Sequence, residues 1–130
     1  MVTLKYLIFI MITCVSVYSA DESSYKLLTY NEIINLMQNL TANYPNLIKY
    51  ESVHDLYEVP KQSGSWGNST CTIYLATITD FSLNKRPKIK VYLSGNLHGD
   101  EKLGPNVLVY FAEYLVKNYN SSEYIKTLLK

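Results

Sequence analysis

His98 and Glu101 stand out in this sequence because their types and spacing could bind a metal ion. An imidazole nitrogen and a carboxylate oxygen are ordinary ligands of Zn²⁺ in proteins. Residues three apart lie on one side of a tight or near-helical turn, close enough to share one ion. The spacing therefore predicts half of a zinc site, with His98 and Glu101 as metal ligands. At least one further protein ligand is needed to complete it.

This pair lies between a predicted strand and a predicted helix. The apolar run Lys88–Leu93 predicts a short buried strand, and a helix is expected to begin at about Pro105, because proline suits the first helical turn. Functional groups collect where the chain leaves a strand of an open α/β sheet. Gly95, Gly99 and Gly104 permit close turns and a close approach of the backbone to a ligand.

Upstream of the pair, the pattern predicts one helix and two strands. Thr29 and Glu32 have the spacing of a capping box, and Pro45 must end the helix that they begin. The segment 46–57 alternates like a half-buried strand, whereas the segment 72–79 is apolar on both faces, like a central strand.

Downstream of the pair, an apolar stripe predicts a helix that reaches about Tyr119, and a second short helix follows from Ser121. Strands interleaved with helices indicate an α/β fold, which we predict as a partial mixed β-sheet with flanking helices. At 130 residues the chain is long enough for one domain.

His54 is the second histidine of the chain and falls inside the first predicted strand. A lone histidine on a strand is more often a surface residue or a hydrogen-bonded one than a metal ligand. We therefore leave His54 out of the predicted zinc site.

Residues 1–19 have the form of a signal peptide. Lys5 gives a positive start, an apolar run covers residues 6–17, and Val17 and Ser19 suit a cleavage site. The run is too short to span a membrane. We predict cleavage near Ser19 or Ala20 and a secreted protein with no stable membrane insertion. The alternative is an uncleaved anchor at the membrane interface.

The charge balance argues against a nucleic-acid partner. The chain has 12 basic and 11 acidic residues, and Lys5 is the one charged residue of the predicted signal peptide, so the remainder is neutral. A neutral chain has no basic field to attract nucleic acid.

Cys71 and three Asn-x-Ser/Thr sequons are the remaining sites where a disulfide bond or a glycan could form. An unpaired cysteine in a secreted protein indicates a missing partner, and a buried thiol is the alternative. The sequons begin at Asn39, Asn68 and Asn120, of which Asn68 lies in a Gly/Ser loop and is expected to be the most accessible.

The segment Gly95–Glu101, with the sequence GNLHGDE, closely resembles the first metal-binding motif of the M14 zinc metallocarboxypeptidases. Its Gly-Asn-x-His-Gly form is more similar to the carboxypeptidase N/E branch than to the digestive branch. The resemblance extends over nearly the whole chain after the signal peptide. It includes the helix that ends at Tyr44-Pro45 and the pattern FAEYLVKNY at Phe111–Tyr119.

This resemblance implies a secreted zinc metallocarboxypeptidase that uses a zinc-activated water to release C-terminal residues from peptides or proteins. The sequence does not define which side chain is preferred, and the likeness to the N/E branch only weakly favours Lys or Arg. The family's second histidine ligand, general-base Glu and substrate-binding residues lie far downstream of the motif. None has a counterpart in the 29 residues after Glu101. We therefore expect residues 20–130 to be the N-terminal portion of a catalytic domain, truncated and inactive alone. The family motif also continues with Gly-Arg, where this chain has Gly104-Pro105.

Two alternatives remain open at this point. The chain could be a non-catalytic secreted pseudo-peptidase that acts as a binding module. It could also be a zinc deacylase of the succinylglutamate desuccinylase or aspartoacylase type, whose motif is similar to His-Gly-x-Glu. The signal peptide and the length of chain before the motif fit the deacylases less well.

Overall fold

A computed structural model describes residues 25–59, 65–66, 69–70, 72–83, 88–98 and 100–130. In chain order, its elements are α1 (Tyr30–Asn43), β1 (Ile48–Ser52), α2 (Val53–Tyr57), β2 (Ser65–Trp66), β3 (Ser69–Thr70), β4 (Tyr74–Ile78), α3 (Leu103–Asn118) and α4 (Glu123–Leu129). Helices flank a small sheet, so the prediction of an α/β fold is confirmed. The predicted signal peptide 1–19, Cys71 and Asn68 lie outside the described residues.

Helix α1 begins at the predicted capping box. The Thr29 hydroxyl accepts from the Glu32 N–H at 3.4 Å, and the Glu32 carboxylate accepts from the Thr29 N–H at 2.8 Å. Both bonds satisfy N–H groups that a helix start leaves unpaired. The helix ends one residue before Tyr44, which is followed by Pro45.

The larger described sheet consists of two antiparallel strands. β1 pairs with β4 from Ile48 opposite Ile78 to Ser52 opposite Tyr74. The rings of Tyr50 and Tyr74 stack at a centroid distance of 4.5 Å. Burial raises the pKa of Tyr50, since the ionised phenolate is disfavoured away from water. The strand predicted over residues 46–57 is thus shorter than expected, because the chain turns into helix α2 at Val53.

The main core lies where α1 and α3 meet β1. Ile48 and Val116 are the largest fully buried side chains. They belong to one cluster of buried apolar residues from these three elements and from Leu47, which directly precedes β1. The cluster comprises Met37, Leu40, Leu47, Ile48, Val109, Ala112 and Val116. The apolar positions of both helices therefore face this core, as their spacing predicts.

The predicted buried strand Lys88–Leu93 is wrong for this structure. The described residues 88–94 belong to no strand, and Ile89 and Tyr92 are 95% and 81% exposed. Only the start of the segment is anchored, by the Lys88 ammonium group, which donates to the Thr79 hydroxyl and to the Asp80 carbonyl at 2.7 Å each. An apolar run becomes a buried strand only where neighbouring strands pair with it, and no described strand does so.

Helix α3 begins at Leu103, two residues before Pro105, which lies in its first turn as predicted. Helix α4 docks against the end of β4 through its last turn. The Leu129 carbonyl accepts from the Asp80 N–H at 2.9 Å and from the Thr79 hydroxyl at 3.0 Å. None of the helices in the described part of the chain is both long and apolar enough to cross a membrane.

The residues before α1 are held along α3 by hydrogen bonds. Buried Asn106 accepts from the Leu28 N–H at 2.6 Å, and the Tyr110 hydroxyl donates to the Lys26 carbonyl at 2.9 Å. These long-range bonds fix residues 25–28 to the domain.

Candidate metal centre

The loop that follows residue 94 brings His98 and Glu101 together. The Glu101 N–H donates to the His98 carbonyl at 3.0 Å, which closes a turn between the two residues. Their side chains leave this turn on the same side, and His98 Nδ1 lies 3.1 Å from Glu101 Oε1. Spacing alone predicts such a neighbourhood, and the structure contains it.

The separation of these two atoms fits a shared zinc ion. Two ligand atoms at about 2.0–2.2 Å from a tetrahedral Zn²⁺ lie about 3.3–3.6 Å apart, so a small movement from the observed hydrogen-bond distance of 3.1 Å would admit the ion. An imidazole nitrogen and a carboxylate oxygen are also the donors that zinc accepts. The His98 and Glu101 side chains are 70% and 57% exposed, so an ion can reach both. The donor pair therefore fits the metal that the sequence predicts.

The described residues do not contain a complete site of three donors. Within the described ranges, no group of three His, Cys, Asp or Glu side chains could hold an ion together. Asp100 stands between the two donors in sequence but does not complete such a group. The described pair thus offers two ligands of the minimum three for a zinc site.

His54 lies in helix α2 and not in a strand, so its predicted place is corrected. It is buried, and its Nδ1 lies 3.2 Å from the Val59 carbonyl, to which it must donate. Its Nε2 has no hydrogen-bond partner among the described residues. His54 belongs to no group of three metal donors among the described residues.

Sequence reasoning missed a buried polar network at the end of β4. The Asp80 carboxylate accepts from the Ser82 hydroxyl and from the Tyr119 hydroxyl, both at 2.5 Å. These bonds lower the pKa of Asp80, with the Ser82 hydroxyl as the largest cause, and the bond from Tyr119 raises the pKa of that phenol. With Lys88 donating to its carbonyl, Asp80 anchors the segment that leads to the loop of His98 and Glu101. The sequence feature that could have identified Asp80 is its position directly after the predicted strand 72–79.

An apolar groove runs along helix α3 and is distinct from the donor pair. It is lined by Tyr25, Leu27, Leu103, Val107, Phe111 and Tyr114, among others. Neither His98 nor Glu101 lines this groove, so we do not assign the metal chemistry to it.

Comparison with protein families gives the class of this chain. The model of the peptidase M14 family, described as zinc carboxypeptidase, matches residues 33–130 and so spans both the core elements and the donor pair. The chain belongs to the zinc carboxypeptidase family. No curated protein matches the chain, and no solved structure matches it.

Membership confirms the family predicted from Gly95–Glu101 and makes the chain related to zinc-dependent peptidases that act on peptides. The match favours the zinc carboxypeptidase interpretation over the deacylase alternative. The carboxypeptidase N/E branch and the roles of His98 and Glu101 stay predictions.

Proposed function

We propose that this chain is the N-terminal part of the catalytic domain of a secreted zinc carboxypeptidase, in which His98 and Glu101 bind the zinc ion. One observation carries the proposal: inside a zinc carboxypeptidase match, the two donor atoms lie 3.1 Å apart and are open to solvent. The substrate is the C-terminus of a peptide or protein.

Zinc, when bound at such a site, lowers the pKa of a water and polarises the carbonyl that the water attacks. The contribution of this chain is to hold two ligand atoms at a fixed separation on an exposed turn. No described residue is assigned as general base or as substrate ligand. On this proposal, the described part of the chain supplies two of the metal ligands, and the proton transfers belong to other residues.

We place the missing ligand and the general base in sequence beyond Lys130. Two features support this placement. The described residues supply no third donor near the pair, and the segment 88–94 exposes apolar side chains that a larger sheet would cover. On this proposal, the 130-residue chain alone binds zinc weakly and hydrolyses no peptide.

Secretion is proposed from the signal-peptide pattern of residues 1–19. Expression of the whole chain in a eukaryotic secretory host tests it, with the N-terminus of the product determined by mass spectrometry. A product in the medium that begins near Ala20 is the expected result. A cell-associated product that retains Met1 would refute this part of the proposal.

The function is tested by reading the transcript past Lys130 and assaying its product. We expect an in-frame continuation that supplies a histidine and then a glutamate. The continued protein should release C-terminal residues from a peptide, as detected by mass spectrometry. His98→Ala and Glu101→Ala should abolish release, whereas Asp100→Asn, which removes a neighbouring carboxylate outside the pair, should retain it.

A stop codon directly after Lys130 in the mature transcript would favour a non-catalytic binding module instead. Full activity in the His98→Ala and Glu101→Ala variants of a continued protein would refute the proposed ligands while leaving the family assignment intact.

A further inference from the structure

Gly95 and Gly104 touch backbone to backbone at the base of the loop that holds His98 and Glu101. A Cβ atom added to Gly95 would lie 2.6 Å from the Gly104 carbonyl carbon and 2.7 Å from its oxygen. A Cβ atom added to Gly104 would overlap the Gly95 carbonyl oxygen and lie 2.7 Å from the Gly95 carbonyl carbon. Because the opposing atoms are backbone atoms, a side chain at either position must push the two segments apart.

This contact joins the segment just before the donor pair to the start of the helix just after it. Gly95 directly follows the exposed segment 88–94, and Gly104 lies in the first turn of helix α3. The added Cβ at Gly95 would also lie 2.9 Å from Leu108 Cδ1, on the next turn of that helix. The loop between the two glycines is therefore closed against the rigid start of a helix.

From this geometry we infer that Gly95 and Gly104 are positioning residues that hold His98 and Glu101 at ligand separation. The inference rests on the proposed function, since it is the proposed zinc ligands that the contact positions. Fixing both ends of a short loop removes conformations in which the two side chains diverge. Groups that orient metal ligands without touching the ion commonly change metal affinity by about 10- to 100-fold when they are altered.

Helix propensity and the contact with Gly95 predict opposite effects of Gly104→Ala on stability. Alanine is favoured over glycine inside a helix, so Gly104→Ala should stabilise the chain if this glycine had no partner. The contact with Gly95 predicts a loss instead, because the methyl group cannot fit. The sign of the effect therefore separates a positioning contact from an ordinary helical glycine.

The test compares the 130-residue chain with Gly95→Ala, Gly104→Ala and the double variant. Leu103→Ala is the matched control, since Leu103 lies in the same helical turn and is 69% exposed. Any zinc binding that remains in His98→Ala and Glu101→Ala takes place outside the pair, so these variants serve as the background. Two quantities are measured by NMR: the dissociation constant for Zn²⁺ alone, and the exchange rate of the Glu101 amide proton in the metal-free protein.

Each glycine variant should weaken zinc binding by about 10- to 100-fold and accelerate exchange of the Glu101 amide, which donates to the His98 carbonyl in the closed turn. The double variant should be no weaker than the weaker single variant, because one methyl group already opens the contact. Leu103→Ala should leave both quantities unchanged. A merely structural role would lower stability without changing the zinc dissociation constant.

Zinc affinity within twofold of the parent chain in both glycine variants, with binding lost in His98→Ala, would overturn the inference and leave the proposed ligands standing. Zinc binding unchanged in His98→Ala and Glu101→Ala would refute the proposed site instead. In that case the inference is tested only by the exchange rate of the Glu101 amide proton. An unchanged rate in the glycine variants would overturn the inference. Additive losses in the double variant would also overturn it, as would unfolding of the distant core around Ile48 and Val116.

Discussion

His98 and Glu101 form an ion pair on an exposed turn when the histidine is protonated, yet such pairs contribute little to folding. Exposed pairs between charged side chains are worth about 0–1 kcal/mol. The structural reason for an imidazole and a carboxylate at these two positions is therefore weak. The pair therefore has little part in folding, and the role that we propose for it is metal binding.

We expect His98→Ala and Glu101→Ala each to change the free energy of unfolding by less than about 1 kcal/mol. Urea denaturation followed by circular dichroism measures this change. Ile48→Ala, which truncates a fully buried side chain, serves as the positive control and should cost about 2–5 kcal/mol. A loss above about 2 kcal/mol for either site variant would give the pair a structural role.

Asp80 makes stability depend on acid pH. Its folded pKa lies below the ordinary value of 3.8 because the Ser82 and Tyr119 hydroxyls donate to its carboxylate. A depressed carboxyl pKa contributes stability that is fully present above the ordinary value and is lost as the pH falls through the folded value. Glu32 acts in the same direction, with a pKa lowered to about 2, first by the bond from Lys26.

The free energy of unfolding should therefore fall as the pH is lowered from 5 toward 2. In Asp80→Asn the fall should be smaller, and combining it with Glu32→Gln should reduce it further. Urea denaturation at a series of pH values measures, for each of these proteins, how steeply the free energy of unfolding falls with pH. An equal slope in the parent chain and in Asp80→Asn would contradict the role of this carboxylate.

The helices and the strands differ in how far the sequence predicts them. The start of α1 depends on the local capping box of Thr29 and Glu32, and the first turn of α3 contains Pro105, so both were predicted within about two residues. The segment 88–93 has the composition of a buried strand, but strand formation depends on partners distant in sequence, and the described strands do not pair with it. The contact of Gly95 with Gly104 also depends on how two separate segments pack, so no sequence pattern predicts it.

Helix α2 shows how local alternation can be overridden. Its sequence continues the alternation of β1, yet the chain turns helical at Val53. The helix ends at Tyr57, and the next residue, Glu58, has a left-handed φ of 54°. The burial of His54 within this turn accompanies the change. A non-glycine residue in the left-handed region is disfavoured by contact between its Cβ and the backbone.

Glu58→Gly should therefore raise the free energy of unfolding by about 0.5–1 kcal/mol, because glycine adopts this conformation without the Cβ contact. Glu58→Ala is the matched control, since it removes the carboxylate but keeps the Cβ. Thermal denaturation compares the two variants. An equal gain in both would attribute the effect to the carboxylate and contradict the backbone explanation.

The whole molecule combines a buried core with a large exposed apolar surface. The core joins α1, β1 and α3, whereas the segment 88–94 and the outer side of α3 present apolar side chains to solvent. Contiguous apolar surface of this kind marks contact with further protein or a tendency to associate. This arrangement agrees with the proposal that the chain is part of a larger domain.

The isolated chain should consequently bind a hydrophobic dye and self-associate as its concentration rises. Ile89→Lys and Val91→Thr together should reduce both effects without lowering the midpoint of urea unfolding, because both side chains are exposed. Dye fluorescence and analytical ultracentrifugation measure the change. A loss of folding in this double variant would show that the segment 88–94 is packed in solution, against the structure.

Zinc titration of the 130-residue chain, followed by the NMR signals of the His98 ring, tests the central claim most directly. The structure predicts weak, saturable binding that is lost in His98→Ala and in Glu101→Ala and is retained in Asp100→Asn. Zinc binding that is unchanged in His98→Ala and Glu101→Ala would contradict the assignment of these two residues as ligands.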